Sequence, residues 1–272
     1  MHAATAGADR LEGLIEPLRS EPAAAAVLCD VDGTLAPIVP EAAAATVLPR
    51  ARELLTTIAG RYALVACLTG RPALVAREMV GLEAVAYAGN HGFELLEAGA
   101  GEPVLDPAVR GRGDRAREFV QTLDADGLAA LGVRFEDKGP IQSLHWRGAR
   151  PEAPARRRAE EVAQLAQEAG LVPRWGRKVL ELRPVAGIDK GSAALGLLQR
   201  SGARHALFGG DDLTDLDAFQ ALRWMQSSGR LRTAICVGVG SDEQPPGLAE
   251  TVDAMVDGPE GFLAVLEELA RD

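Results

Sequence analysis

Short apolar runs that end in small or polar residues recur along the chain. A continuous apolar run is typical of a strand that is buried on both faces, and such strands usually belong to parallel sheets. The runs lie at 23–30, 62–70, 83–90, 205–212, 233–240 and, as a weaker candidate, 253–257. The pattern therefore predicts a parallel sheet with polar residues gathered where its strands end.

Segments with helical spacing of apolar residues lie between these runs. Leu11, Leu14, Ile15 and Leu18 recur at such intervals, which predicts an amphipathic helix over about residues 9–19. Further helices are predicted at 48–59, 72–80, 189–200 and 213–225. Strands that alternate with helices indicate an α/β fold with a doubly wound parallel sheet. In such sheets, ligands bind outside the carboxyl ends of the strands.

The middle of the chain departs from this alternation. Residues 108–185 predict the order helix, strand, strand, helix, strand, strand. GVRFED and IQSLHWR flank the short turn Lys138–Gly139–Pro140, as in a β-hairpin. KVLELRP alternates apolar and polar residues, like a half-exposed antiparallel strand. We therefore expect a small α+β domain at 108–185, inserted into a core made of 1–107 and 186–272.

The charge balance limits the kinds of partner. Lys and Arg total 29 and Asp and Glu total 39, which gives a formal net charge of −10. This acidity argues against nucleic acid and membrane surfaces as partners. The basic run Arg156–Arg157–Arg158 is followed by Glu160 and Glu161, so we interpret it as a solvated helix face.

The cysteines and the N-terminal residues bear on location. Cys29, Cys67 and Cys236 each lie within an apolar run, and no pair has the spacing of metal ligands. We expect buried, reduced thiols, which suit a reducing compartment. We also expect no signal peptide and no segment that spans a bilayer. The expected location is the cytoplasm.

Candidate chemistry lies at the ends of the first two strands. Asp30 and Asp32 are two residues apart, so in an extended segment both side chains point to one side. Paired carboxylates suit a divalent cation, or a nucleophile beside an acid/base, although Asp-Gly is also a turn signal. After the second strand, Thr69, Gly70 and Arg71 precede a helix. A hydroxyl and backbone N–H groups there can hold a phosphate oxygen, and a simple helix cap is the alternative.

Two further signals follow later in the chain. Lys190, at the start of a helix, can offer a point charge to phosphate and carboxylate, although a surface lysine is the alternative. Carboxylates in GGDDLTDLD at 209–217 can complete a site for a hard cation, and a helix N-cap cluster is the alternative. An EF-hand calcium loop fits poorly, because its glycine and distal glutamate are missing from their positions.

The four signals occur in order, each at the end of an apolar run. DVDGT at 30–34, Thr69, Lys190 and GDD at 210–212 together resemble the four motifs of the haloacid dehalogenase superfamily. The resemblance implies a HAD-like, Rossmann-like phosphatase core with an inserted cap domain for substrate recognition. It implies that Asp30 attacks phosphorus and forms an aspartyl phosphate, and that Asp32 serves as acid and base. Thr69 and Lys190 would hold the phosphate.

The same resemblance implies a magnesium cofactor. The ion would be bound by the carboxylates of Asp30 and Asp211 and by the main-chain oxygen of Asp32. Either Asp212 or Asp215 would orient Lys190 or a metal-bound water, and the sequence leaves that choice open.

At a finer level, the chain is similar to the trehalose-6-phosphate phosphatase family. The matching blocks are DVDGTLAPI (30–38), AGNHGFE (88–94), FEDKGPIQSLHWR (135–147), GRKVLELRP (176–184), DKG (189–191) and GGDDLTDLDAF (209–219). The resemblance implies a small-molecule substrate, trehalose 6-phosphate, hydrolysed to trehalose and phosphate in the last step of trehalose biosynthesis. The substrate-binding residues that it implies are Gly70, Arg71, Asn90, His91, Glu94, Glu136, Lys138, Arg147 and Glu181.

Departures and alternatives accompany this interpretation. Leu216 stands where the family often has a glutamate, and Trp146 where it often has a tyrosine. An ordinary surface ion-pair ladder is the alternative for Glu136, Lys138, Arg147 and Glu181. His91 could be a packed, hydrogen-bonded histidine. A sucrose- or mannosylglycerate-phosphate phosphatase has the same architecture. A non-catalytic sugar-phosphate sensor is also possible, but it would be expected to have a damaged motif.

Overall fold

The computed structural model describes residues 2–39, 44–176, 178–185, 187–241 and 245–271. The chain forms two compact units. Met1–Val104 and Asp189–Asp272 form the larger unit, and Leu105–Ile188 forms the smaller one. Among the helices of the described residues, none combines the length and the apolar character needed to cross a membrane.

The elements alternate as follows. The strands are β1 (Ala25–Cys29), β2 (Leu64–Leu68), β3 (Ala86–Gly89), β4 (Glu94–Leu96), β5 (Val104–Leu105), β6 (Arg134–Asp137), β7 (Gln142–His145), β8 (Val172–Gly176), β9 (Val179–Arg183), β10 (His205–Gly210), β11 (Thr233–Gly240) and β12 (Ala254–Asp257). The α-helices are α1 (His2–Ser20), α2 (Pro49–Ala59), α3 (Ala73–Val80), α4 (Arg115–Val120), α5 (Ala125–Ala130), α6 (Glu152–Glu168), α7 (Lys190–Ser201), α8 (Asp215–Ser227), α9 (Leu248–Thr251) and α10 (Gly258–Ala270).

The larger unit is built on a sheet with the strand order β12-β11-β10-β1-β2-β3-β4-β5. The strands from β12 to β3 pair in parallel, and β4 runs antiparallel to β3. Side chains of β1 alternate between the two faces, as in any strand. Val27 and Cys29 pack with α1, α2 and α10, whereas Ala26 and Leu28 pack with α7 and α8. Helices therefore cover both faces, which confirms the predicted doubly wound α/β fold.

The smaller unit has its own antiparallel sheet, in the order β6-β7-β9-β8. Leu144, Leu180 and Leu182 turn one face of this sheet towards the apolar side of α6. Residues of the opposite parity occupy the other face, and the register aligns Glu136 with Ser143 and Ser143 with Glu181. One face of the sheet is thus apolar and the other is polar.

The structure adds detail that the sequence pattern does not predict. The pattern predicts one helix before the β6–β7 hairpin, whereas the structure has both α4 and α5. The reason is Asp124, whose side chain accepts the N–H of Gly127 and so starts a second helix. The run at Arg156–Arg158 lies on α6 and pairs with Glu160 and Glu161, as expected of a solvated helix face. The three cysteines are free and buried, as predicted.

Candidate active site

Three of the predicted residues follow neighbouring strands of the parallel sheet. Asp30 follows β1, which lies between β10 and β2; Thr69 follows β2, and Asp211 follows β10. The register aligns Cys29 with Gly209, and the N–H of Asp30 donates to the carbonyl of Gly209 at 2.8 Å. Asp30, Thr69 and Asp211 are all buried. The topology therefore brings these residues to one edge of the sheet.

Lys190 joins this edge from the start of α7. Its Nζ donates to Oδ1 of Asp30 and to Oδ1 of Asp215, at 2.7 Å in each case. The helix begins at this residue because Asp189 is its N-cap, and the side chain of Asp189 accepts the N–H of Ser192. The cap thus fixes the point from which the lysine reaches two buried carboxylates.

Burial and charge compete at this cluster. Burial raises the pKa of Asp30 well above its ordinary value; Lys190 opposes this shift, and Asp215 and Asp211 add to it. Burial acts to lower the pKa of Lys190, but the charges of Asp215 and Asp30 outweigh it and hold that pKa well above its ordinary value. Lys190 is therefore a protonated ammonium, and its single positive charge offsets the negative charge of several buried carboxylates.

The structure distinguishes Asp215 from Asp212. Oδ2 of Asp215 accepts the N–H groups of Asp211 and Asp212, at 2.8 and 2.9 Å. Oδ1 of Asp212 instead accepts the N–H and the hydroxyl of Thr214, at 2.8 and 2.7 Å. Asp215 is thus the residue that contacts Lys190, and Asp212 organises the turn that leads into α8.

The acidic cluster fits a divalent cation. Asp30, Asp211 and Asp215 offer carboxylate oxygens that all lie within 4.8 Å of one another. Such oxygens are the ligands that Mg²⁺ and Ca²⁺ prefer. Gly33 has a φ of +91°, and a side chain there would collide with the carboxylate of Asp211. Because both oxygens of Asp215 already accept hydrogen bonds, Asp30 and Asp211 are the better candidate ligands.

Asp32 has a partner that the sequence analysis did not identify. Arg71 donates from Nε to Oδ2 and from Nη2 to Oδ1 of Asp32, at 2.7 Å each. The N–H of Arg71 also donates to Oγ1 of Thr69, at 3.2 Å. A two-pronged guanidinium–carboxylate contact fixes the orientation of both groups. Arg71, predicted to bind substrate, therefore holds the predicted acid/base in this structure.

Asn90, His91 and Glu94 lie after β3, the strand next to β2. Asn90 and His91 form a tight turn, and Glu94 is the first residue of β4. Oε1 of Glu94 accepts the N–H of Ala73, the first residue of α3, at 2.7 Å. A helix N-terminal N–H of the kind expected to hold phosphate is thus bonded to a carboxylate of the protein.

Four of the predicted substrate-binding residues belong to the smaller unit, and two of these, Glu136 and Glu181, lie on the polar face of its sheet. Nζ of Lys138 lies 3.1 Å from Oε1 of Glu181 and 3.8 Å from Oε2 of Glu136. Nε2 of His145 lies 2.7 Å from the same oxygen of Glu136 and lowers the pKa of that carboxyl. Arg183 donates to Oε2 of Glu181 from Nε and Nη2, at 3.2 and 2.7 Å. These five ionisable side chains form one cluster.

Two arginines of the smaller unit differ in whether the sequence analysis identified them: Arg183 was missed and Arg147 was predicted. Arg183 is buried and was not predicted, although its spacing of two from Glu181 places both side chains on one face of β9. The predicted Arg147 lies beyond the end of β7 and is half-buried, and its carbonyl accepts a hydrogen bond from Arg134 at 3.4 Å.

Solved structures resemble this chain over most of its length. The C-terminal domain of the C. albicans trehalose-6-phosphate phosphatase gives a TM-score of 0.75 at 22% identity, over 95% of this chain and 96% of that one. A haloacid dehalogenase-like hydrolase from Bacteroides thetaiotaomicron gives a TM-score of 0.57 at 17% identity, over 89% and 98%. These similarities confirm the HAD-like α/β fold.

Sequence comparison identifies the family. A trehalose-phosphate phosphatase from Mycolicibacterium paratuberculosis is 36% identical over 230 residues, which cover 81% of this chain and 55% of that protein. The matched part spans about half the length of the curated trehalose-phosphate phosphatases that the chain resembles. The family profile described as trehalose-phosphatase matches residues 28–247. The chain therefore belongs to the trehalose-phosphatase family.

Proposed function

We propose that this chain hydrolyses trehalose 6-phosphate to trehalose and phosphate through an aspartyl-phosphate intermediate. The observation that carries the proposal is the buried contact of Lys190 with Asp30 and Asp215, at the end of β1 and beside Asp211. Such a cluster can present a carboxylate oxygen to phosphorus while an ammonium offsets charge. Family membership supports the choice of substrate.

In the proposed first step, a carboxylate oxygen of Asp30 attacks phosphorus and the bond to the sugar oxygen breaks. The Asp32 carboxyl gives its proton to the leaving sugar alkoxide. In the second step, water attacks phosphorus, Asp32 takes the proton of that water, and the Asp30 carboxylate is released. Arg71 bonds both oxygens of Asp32 and so fixes the orientation of this acid/base. Thr69 and Lys190 hold the phosphoryl oxygens.

Magnesium is the proposed cofactor. The carboxylates of Asp30 and Asp211 and the main-chain oxygen of Asp32 would hold the ion, and bound magnesium would offset the charge on the phosphoryl oxygens. Asp215 would position two of these groups, because its carboxylate accepts hydrogen bonds from the N–H of Asp211 and from the ammonium of Lys190.

We propose that the smaller unit provides substrate recognition. Glu136, Lys138, Arg147 and Glu181 offer charged groups suited to a disaccharide, which has many hydroxyls and little apolar surface. The bonds among Lys138, Glu136 and Glu181 favour a rigid arrangement of donors and acceptors. Asn90 and His91 remain proposed contacts from the larger unit. The free cysteines favour a reducing compartment, and we propose the cytoplasm.

Phosphate release from a substrate panel tests the proposal. The panel contains trehalose 6-phosphate, sucrose 6-phosphate and glucose 6-phosphate, each with magnesium and after thorough chelation. We expect trehalose 6-phosphate to react fastest and only with magnesium. Preference for another sugar phosphate would overturn the substrate and leave the phosphatase assignment standing. Binding of trehalose 6-phosphate without any release of phosphate would favour the sensor alternative.

A further inference from the structure

Glu94 is a buried carboxylate that bonds two separate parts of the protein through one oxygen. Its Oε1 accepts the N–H of Ala73 at 2.7 Å and the side-chain amide of Asn90 at 3.1 Å. Ala73 begins α3, and Asn90 begins the turn that follows β3. Burial raises the pKa of Glu94, and these two hydrogen bonds oppose the shift. The side chain thus ties the start of a helix to a neighbouring turn.

The turn that Glu94 holds has an unfavourable backbone. Asn90 has a φ of +51° and His91 a φ of +57°, so two consecutive non-glycine residues occupy the left-handed region. Such conformations cost free energy and persist where the surrounding structure holds them. Here the N–H of Asn90 donates to the carbonyl of Arg71, and the N–H of His91 to that of Thr69, both at 2.8 Å.

The turn also packs closely on the segment that carries Thr69 and Arg71. A β-carbon at Gly70 would lie 2.7 Å from Nε2 and 2.8 Å from Cε1 of His91, so the imidazole rests directly against this glycine. Thr69 and Arg71 flank the contact, and Arg71 in turn holds both oxygens of Asp32. A continuous set of contacts therefore leads from the turn to the proposed acid/base.

We propose that Glu94 is a positioning residue for this reaction: by accepting from Ala73 and Asn90, it locks the Asn90–His91 turn against Thr69–Arg71 and so fixes Arg71 and Asp32. The inference rests on the proposed function for the role of Asp32. It replaces the expectation, taken from the family resemblance, that Glu94 binds the substrate directly. This positioning role requires a hydrogen-bond acceptor at the position of Oε1 and does not require the negative charge of the side chain.

Two substitutions separate geometry from charge. Glu94→Gln keeps a carbonyl oxygen at the place of Oε1 and removes the charge. Glu94→Asp keeps the charge but shortens the side chain by one carbon–carbon bond, about 1.5 Å, which takes the oxygen out of reach of Ala73. Glu97→Gln is the matched control, because Glu97 lies just beyond β4, is exposed and pairs with Arg200.

The measurements are kcat and KM for trehalose 6-phosphate and for p-nitrophenyl phosphate, with melting temperatures to verify folding. We expect Glu94→Gln to stay within about threefold of wild type, because a neutral hydrogen bond replaces a charge-assisted one. We expect Glu94→Asp to lose about ten- to a hundredfold in kcat on both substrates with KM changed little, because misplaced catalytic groups slow the chemical step. Glu97→Gln should match wild type.

The opposite ranking, with aspartate active and glutamine inactive, would overturn the proposal and assign the role to charge. Equal losses or no loss in both variants would overturn it too, and so would a rise in KM confined to trehalose 6-phosphate. If the aspartate variant does not fold, Glu94→Met takes its place, because it keeps the length of the side chain without the carboxylate, and wild-type kcat in that variant would overturn the proposal. Wild-type protein that hydrolyses p-nitrophenyl phosphate but not trehalose 6-phosphate would refute the proposed substrate and leave this test intact.

Discussion

Replacing Lys190 by methionine removes an ammonium that two buried carboxylates share. The side chains of Lys190, Asp30 and Asp215 are 2%, 4% and 0% exposed. Removing one partner of a buried ion pair costs about 3–5 kcal/mol, because the remaining charge is poorly solvated. Asp30, whose pKa burial already raises, can take up a proton and soften the penalty. We therefore expect Lys190→Met to lower the free energy of unfolding by about 3 kcal/mol, the lower end of that range.

The measurement is urea unfolding followed by circular dichroism at neutral pH with a metal chelator present. Asp215→Asn and the double variant complete a double-mutant cycle. Because Oδ1 of Asp215 accepts directly from Lys190, removing both charges should cost less than the sum of the single losses, by about 0.5–3 kcal/mol. A loss below about 1 kcal/mol for Lys190→Met, or a coupling of zero, would refute the buried ion pair.

Three further predictions concern other parts of the chain. Lys138→Ala should lower kcat/KM for trehalose 6-phosphate by about ten- to a hundredfold, the worth of one hydrogen bond to a charged group, and change a small phosphoester much less; equal losses would contradict a role in sugar binding. Gly33→Ala should destabilise the protein by more than about 1 kcal/mol and reduce phosphate release, because a φ of +91° disfavours alanine and its methyl group would meet Asp211; a wild-type melting temperature would contradict this. A hydrogen bond from Arg117 lowers the pKa of Asp137 to about 2 from its ordinary 3.8. This exposed pair therefore stabilises the fold above about pH 4, and the stabilisation is lost as the pH falls towards 2. Asp137→Asn should cost less than about 1 kcal/mol at pH 7, and a difference in melting temperature between variant and wild type that persists undiminished at about pH 2 would exclude this pair as its source.

The sequence predicts the parallel sheet well because its strands are buried on both faces and therefore read as continuous apolar runs. The predicted run at 205–212, for example, contains β10 (His205–Gly210). The helix α10 was not predicted, because it follows the weakest of the strand candidates and leads to no chemical motif. Its buried residues do recur at helical spacing: Phe262, Val265, Leu266 and Leu269.

At the candidate site, the sequence identifies the strand ends that come together but not which side chains bond one another. Asp212 and Asp215 both stand near GDD in sequence, and the contact of Asp215 with Lys190 depends on how α7 and α8 pack. The pair of Asp32 and Arg71 joins residues far apart in the chain, and no local pattern reports it. Lys190, by contrast, stands at the start of α7, where the Asp189 cap is a local signal.

Asp30 is proposed to carry the phosphoryl group during turnover, and one measurement tests this most directly. Wild-type protein with magnesium is mixed with trehalose 6-phosphate, quenched in acid within one turnover, and digested for mass spectrometry. We predict that the peptide containing Asp30 gains the mass of one phosphoryl group, and that Asp30→Asn, with an unchanged far-UV spectrum, shows neither this gain nor phosphate release. Steady release of phosphate by the asparagine variant, or phosphoryl mass on another peptide, would contradict the account.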